Sequence, residues 1–140
     1  MSQKIWKMVL CLMILAFWVV TASAYTTEQA ANGKELYVKN CAVCHGAGGE
    51  GGTVPQQFGK NAGKAVPRLV GPGGLPGMKT VGQVYETAKK LMPLDKLGSL
   101  KSNEYLDIVS FALQANGIQP DGKPLTPASA KKIKLGGGEK

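Results

Sequence analysis

The chain has 140 residues, with 17 Lys and Arg against 9 Asp and Glu, so its formal net charge is +8. A length of this order predicts a single domain. The lysines are scattered rather than clustered, which argues against nucleic-acid binding. The positive charge instead favours an acidic protein partner. The chain has 19 glycines and few large apolar side chains, which predicts a thin hydrophobic core.

The first 24 residues have the features of a secretory signal peptide. Lys4 and Lys7 precede an unbroken apolar run over 8–20, and Ala22-Ser23-Ala24 fits the small-residue rule for cleavage before Tyr25. The run has 13 residues, whereas a membrane-spanning helix needs ~20, so cleavage is favoured over retention as an anchor. We therefore predict a periplasmic or otherwise exported chain with no membrane span after cleavage.

A first helix is predicted from the capping-box pair Thr26 and Gln29 up to Cys41. Gly33 lies inside this helix, where glycine costs roughly 1 kcal/mol relative to alanine. We expect such a glycine to allow the close approach of another element.

The helix runs into Cys41-Ala42-Val43-Cys44-His45, which is the attachment motif of c-type haem. Two thiols at this spacing can form thioethers with the two vinyl groups of one porphyrin, and the histidine that follows can ligate the iron. The alternatives are a disulfide or thiol-exchange pair, or a zinc site. Two cysteines and one histidine supply only three of the four ligands of a closed zinc site.

The segment from Gly46 to Gly77 is predicted to be a long loop. It holds most of the glycines and four of the prolines and shows no periodicity. Long structureless loops are uncommon in compact domains, so we interpret this one as wrapping a large prosthetic group.

Two further helices are predicted, over Thr80 to Leu91 and over about Ser102 to Ala115. Met92-Pro93 ends the first of them, and Asn116-Gly117 caps the second. The start of the last helix is ambiguous between Ser99 and Ser102. No strand pattern stands out, so the fold class is all-α.

The C-terminal tail over 118–140 is rich in lysine, proline and glycine. This composition predicts an extended or partly disordered segment. The domain is therefore placed over 25–117.

His45 is the only histidine, so the chain has no second imidazole for the iron. The sixth ligand is Met92, Met78 or nothing. Met92 is favoured because it lies at a helix end before a proline, although a methionine more often fills a core. An iron without this ligand would be five-coordinate and open to a diatomic gas.

The motifs resemble the class I monohaem cytochrome c family over roughly Gln29 to Gly117. The matching pieces, in chain order, are Gly33-Lys-Glu-Leu-Tyr37, Cys41-Ala-Val-Cys-His45-Gly46, Val66-Pro67-Arg68-Leu69, Met92-Pro93 and Glu104-Tyr-Leu-Asp-Ile-Val-Ser-Phe111.

The resemblance implies about three main helices and long loops around one covalent haem c. It implies that the first and last helices cross, with Gly33 and Tyr37 facing Ile108 and Phe111. It also implies that the Pro67 carbonyl orients His45 and that Met92 is the axial thioether. The implied function is one-electron transport between redox partners, not enzymatic catalysis.

Two expectations concern partners. The part of the chain from Thr80 onward is similar to cytochromes that are paired with exported dehydrogenases, so the chain is a free carrier or a subunit of such a complex. Four lysines around Met92 are expected to steer an acidic partner to the haem edge, unless they form a merely solvated helix face: Lys89, Lys90, Lys96 and Lys101.

Overall fold

The computed structural model describes residues 24–72, 74–75 and 78–136. The predicted signal peptide lies outside these residues except for Ala24, and so does the end of the tail. No helix within the described ranges is long and apolar enough to cross a membrane. The helices are α1 (Thr27–Asn40), α2 (Ala42–His45), α3 (Val81–Leu91), α4 (Ser102–Ala115) and α5 (Pro127–Ala130). The predicted all-α architecture is confirmed.

The capping box predicted at the start of the first helix is present, and the second predicted helix is also capped. The Thr26 hydroxyl accepts a hydrogen bond from the Gln29 backbone N–H at 3.1 Å, which caps α1. Thr80 caps α3 in the same way through the N–H of Gln83 at 3.3 Å. The α4 boundary resolves differently from either candidate serine, because Lys101 is the N-cap and its N–H donates to the Glu104 carboxylate at 2.7 Å.

Helices α1 and α4 cross at Gly33, as the resemblance implied. A Cβ atom on Gly33 would lie 1.8 Å from the Asp107 carbonyl oxygen, so the two backbones touch at this point. One turn further on, the rings of Tyr37 and Phe111 lie 5.1 Å apart at 46°. The Tyr37 hydroxyl donates to the Gly46 carbonyl at 2.7 Å, which ties the crossing to the haem-binding motif.

The long loop contains more structure than its sequence suggested. Strand β1 (Gly52–Thr53) pairs antiparallel with β2 (Ala65–Val66), and a 3₁₀ segment, Gln56–Asn61, lies between them. Strands of two residues are too short to leave a period-2 pattern in the sequence. Gly51 has φ +83° and a Cβ there would meet the Val66 carbonyl oxygen at 2.7 Å, so the hairpin closes only on a glycine.

The expected extended or partly disordered tail is wrong for residues 118–136. Leu125 and Ala130 are buried in the same core cluster as α1, α3 and α4. The Leu125 amide donates to the Gln29 side chain at 2.7 Å, and the Val81 amide donates to the Ile133 carbonyl at 3.0 Å. The composition of the tail is mostly polar, but a few of its side chains are apolar. The segment packs beside the N-terminal ends of α1 and α3.

Candidate cofactor site

A cavity of about 500 Å³ lies between α3, α4, the cysteine motif and the segment over 54–69. This volume is in the range of small-molecule and cofactor sites. Its lining is largely apolar and includes Val54, Leu69, Leu75, Val84, Leu94, Ile108 and Val109. The residues that the sequence singled out line the same cavity, namely Cys41, Cys44, His45, Pro67, Met78 and Met92.

His45 is buried and its ring is oriented by one contact. The residue is 7% exposed, and Nδ1 lies 3.1 Å from the Pro67 carbonyl oxygen. A carbonyl only accepts, so Nδ1 carries the proton and Nε2 is left with the lone pair that a metal needs. Burial lowers the pKa of His45, and this effect exceeds the opposing effect of the Pro67 carbonyl. The lowered pKa keeps the imidazole neutral. The contact expected of Pro67 is therefore present.

The two cysteines are free thiols that share the cavity with His45. Burial, with a smaller effect of Cys44, raises the pKa of Cys41 to about 11, and burial also raises the pKa of Cys44. Thiols of exchange enzymes have lowered pKa values, so this environment does not suit thiol–disulfide exchange.

A zinc site does not fit the arrangement either. Within the described ranges, no group of three or more His, Cys, Asp or Glu side chains is placed to hold a metal ion. The cysteine pair is therefore better suited to covalent attachment of a ligand in the cavity than to metal chelation.

Both methionines reach the cavity, so lining alone does not choose between them. They differ in how their backbones are held. The Met92 N–H donates to Ala88 at 2.9 Å, and its carbonyl accepts from the Tyr105 hydroxyl at 2.7 Å and from the Gly98 amide at 3.1 Å. Among the residues that the structure describes, Met78 makes one backbone bond, from its N–H to the Leu75 carbonyl at 3.3 Å. The backbone from which the Met92 side chain projects is therefore held more firmly than that of Met78.

Sequence reasoning missed two contributions to the site. Tyr105 entered the sequence analysis only as part of the last matching piece, yet its hydroxyl bonds the Met92 carbonyl. Asn116 was noted only as a helix cap, yet its side-chain amide donates to the Leu69 carbonyl at 2.8 Å. Both partners are distant along the chain, so no local pattern could have indicated either contact.

Comparison with known proteins agrees with this geometry. Residues 28–111 match the family described as cytochrome C oxidase, cbb3-type, subunit III. The match covers more than half of the chain and includes the cysteine motif, the Met92 turn and most of α4. The chain belongs to this family of cytochrome c domains, whose cofactor is haem c and whose role is electron transport.

Two individual proteins are similar to the chain. Thiosulfate dehydrogenase of Psychrobacter arcticus is 34% identical over 83 residues, which are 57% of this chain and 24% of that protein. The chain thus matches about a quarter of that relative's length. The crystal structure of the sulfane dehydrogenase SoxCD from Paracoccus pantotrophus aligns with a TM-score of 0.55 and 21% identity, over 85% of this chain and 62% of that one. At this identity the structural likeness shows the fold alone.

Proposed function

We propose that the chain is an exported c-type cytochrome that carries single electrons through one covalently attached haem. The observation that carries this proposal is the cavity itself, where two free thiols, one neutral buried imidazole and two methionine thioethers line the same apolar space. Haem in such a site supplies one-electron Fe(III)/Fe(II) cycling.

Each residue has a distinct role in this proposal. Cys41 and Cys44 would form the thioether links, and His45 would bind iron through Nε2 while Pro67 fixes its ring. Met92 would supply the second iron ligand, and a thioether there would raise the reduction potential relative to a second imidazole. An iron held by both residues would leave no position for a substrate, which suits a carrier rather than an enzyme.

We further propose that the electron donor is an exported dehydrogenase of inorganic sulfur compounds. The support is the 34% identity to a thiosulfate dehydrogenase. In this proposal the chain acts either as a free carrier or as the haem subunit of such a complex.

Expression with a haem-maturation system tests the central claim. We expect a covalently stained band on a denaturing gel, sharp bands in the reduced visible spectrum, and a mass that corresponds to cleavage before Tyr25 plus one haem. The double variant Cys41→Ser with Cys44→Ser is expected to lose the stain. A wild-type protein without covalent haem contradicts the proposal and returns the cysteines to thiol chemistry.

The lysines around Met92 allow a separate test of docking electrostatics. Lys89, Lys90, Lys96 and Lys101 are all exposed. Reversing the first three to glutamate is expected to slow oxidation of the ferrous protein by anionic ferricyanide about tenfold at low ionic strength, because the local potential changes sign. Oxidation by cationic tris(phenanthroline)cobalt(III) is expected to become faster.

The matched control reverses three exposed lysines elsewhere, namely Lys34, Lys132 and Lys134. The last two lie in the C-terminal segment beside the N-terminus of α3, at the opposite end of that helix from Met92. The net charge changes equally in both variants. Equal rate changes in the two would show that only total charge matters and that the lysines around Met92 have no steering role.

A further inference from the structure

The turn after α3 is closed by one buried side chain. This turn begins at Met92, directly after α3, and ends at Leu100, shortly before α4. The Tyr105 hydroxyl contacts both of its ends. It donates to the Met92 carbonyl at 2.7 Å, and the Leu100 amide lies at 3.5 Å from its oxygen. Tyr105 is 2% exposed and lines the cavity, so solvent does not compete for these contacts.

The Met92 backbone is consequently held on both sides of its Cα atom. Its N–H completes the last helical bond to Ala88, and its carbonyl accepts from Tyr105 and Gly98. When both peptide groups of a residue are fixed, the direction of its Cα–Cβ bond is fixed as well. The Met92 side chain therefore starts from a set position on the cavity wall.

We propose that Tyr105 is a positioning residue that keeps the Met92 thioether in its ligating arrangement. This inference rests on the proposed role of Met92 as an axial ligand. Tyr105 acts through the backbone carbonyl and touches neither the metal nor a substrate. Its contribution is to raise the fraction of molecules in which the thioether is bound.

Imidazole added from solution measures that fraction, because it occupies the sixth position only after the thioether has left. Its apparent dissociation constant on the ferric protein, followed by loss of the far-red band of methionine ligation, therefore falls as the thioether is released more often. For Tyr105→Phe we expect this constant to fall about three- to tenfold, the equivalent of one lost buried hydrogen bond. The Gly98 amide still satisfies the Met92 carbonyl, so the variant folds.

Tyr25→Phe is the matched control. The Tyr25 hydroxyl also donates to a backbone carbonyl, that of Ile118, and Tyr25 is also buried, but it does not line the cavity. Both variants lose one tyrosine hydroxyl bond, so thermal unfolding is expected to change similarly in the two. Only Tyr105→Phe is expected to change the imidazole constant.

The outcomes separate this inference from the ligand assignment. An unchanged imidazole constant in Tyr105→Phe, or the same change in Tyr25→Phe, overturns the positioning role while Met92 ligation stands. If Met92→Ala has the same imidazole constant and the same spectrum as the wild type, Met92 is not the ligand, and the positioning role of Tyr105 is overturned as well.

Discussion

Met92→Ala is expected to abolish the far-red absorption band of the ferric protein while leaving haem covalently attached. The thioethers of Cys41 and Cys44 and the His45 imidazole do not depend on the Met92 side chain. The reduction potential should fall by a sizeable part of the roughly 0.8 V range that axial ligation spans, because the thioether favours the ferrous state. The ferrous variant should also bind carbon monoxide, which a firmly bound thioether excludes.

Met78→Ala is the control for this experiment, since Met78 lines the same cavity. It removes the same side chain from a segment with fewer backbone hydrogen bonds among the described residues, so the band, the potential and the resistance to carbon monoxide should persist. If Met78→Ala rather than Met92→Ala removes the band, the ligand assignment is reversed. Carbon monoxide binding by the wild type would instead support the five-coordinate, gas-binding alternative.

Gly33→Ala is expected to destabilise the protein by at least about 3 kcal/mol, the upper part of the range for overpacking. A methyl group at this position would lie 1.8 Å from the Asp107 carbonyl oxygen, and backbone cannot move aside as a flexible side chain can. The sign of the change in the free energy of unfolding is informative, because replacing glycine by alanine in a helix without this contact stabilises the helix by about 1 kcal/mol. Chemical denaturation of the holoprotein measures the difference.

Asn32→Ala provides the neighbouring control, since Asn32 is exposed on the same helix. It also replaces a poorer helix former with alanine but introduces no contact with α4, so its effect should lie within about 0.5 kcal/mol. A Gly33→Ala protein as stable as wild type would mean that α1 and α4 separate at little cost, and that their crossing does not hold the cavity in place.

Local signals predicted the main helices well, for reasons that are visible in individual residues. Thr26 and Thr80 cap helices through bonds to residues three positions ahead, and Pro93 excludes a helix from the residue before it. Such interactions join residues only a few positions apart, so a short stretch of sequence contains both partners. The tail failed as a prediction because its stabilising partners, Gln29 and Val81, lie far away along the chain.

The sequence by itself determined the chemistry of this protein. The spacing of Cys41, Cys44 and His45 predicted haem c, and their match to a cytochrome c family confirms that class. Only the tertiary structure decided what surrounds those residues: the Pro67 carbonyl beside His45, the two methionines that line the same cavity, and the Tyr105 hydroxyl bonded to the Met92 carbonyl. The physical reason is that a covalent motif needs only adjacent residues, whereas burial and hydrogen bonding depend on segments that meet after the chain has folded.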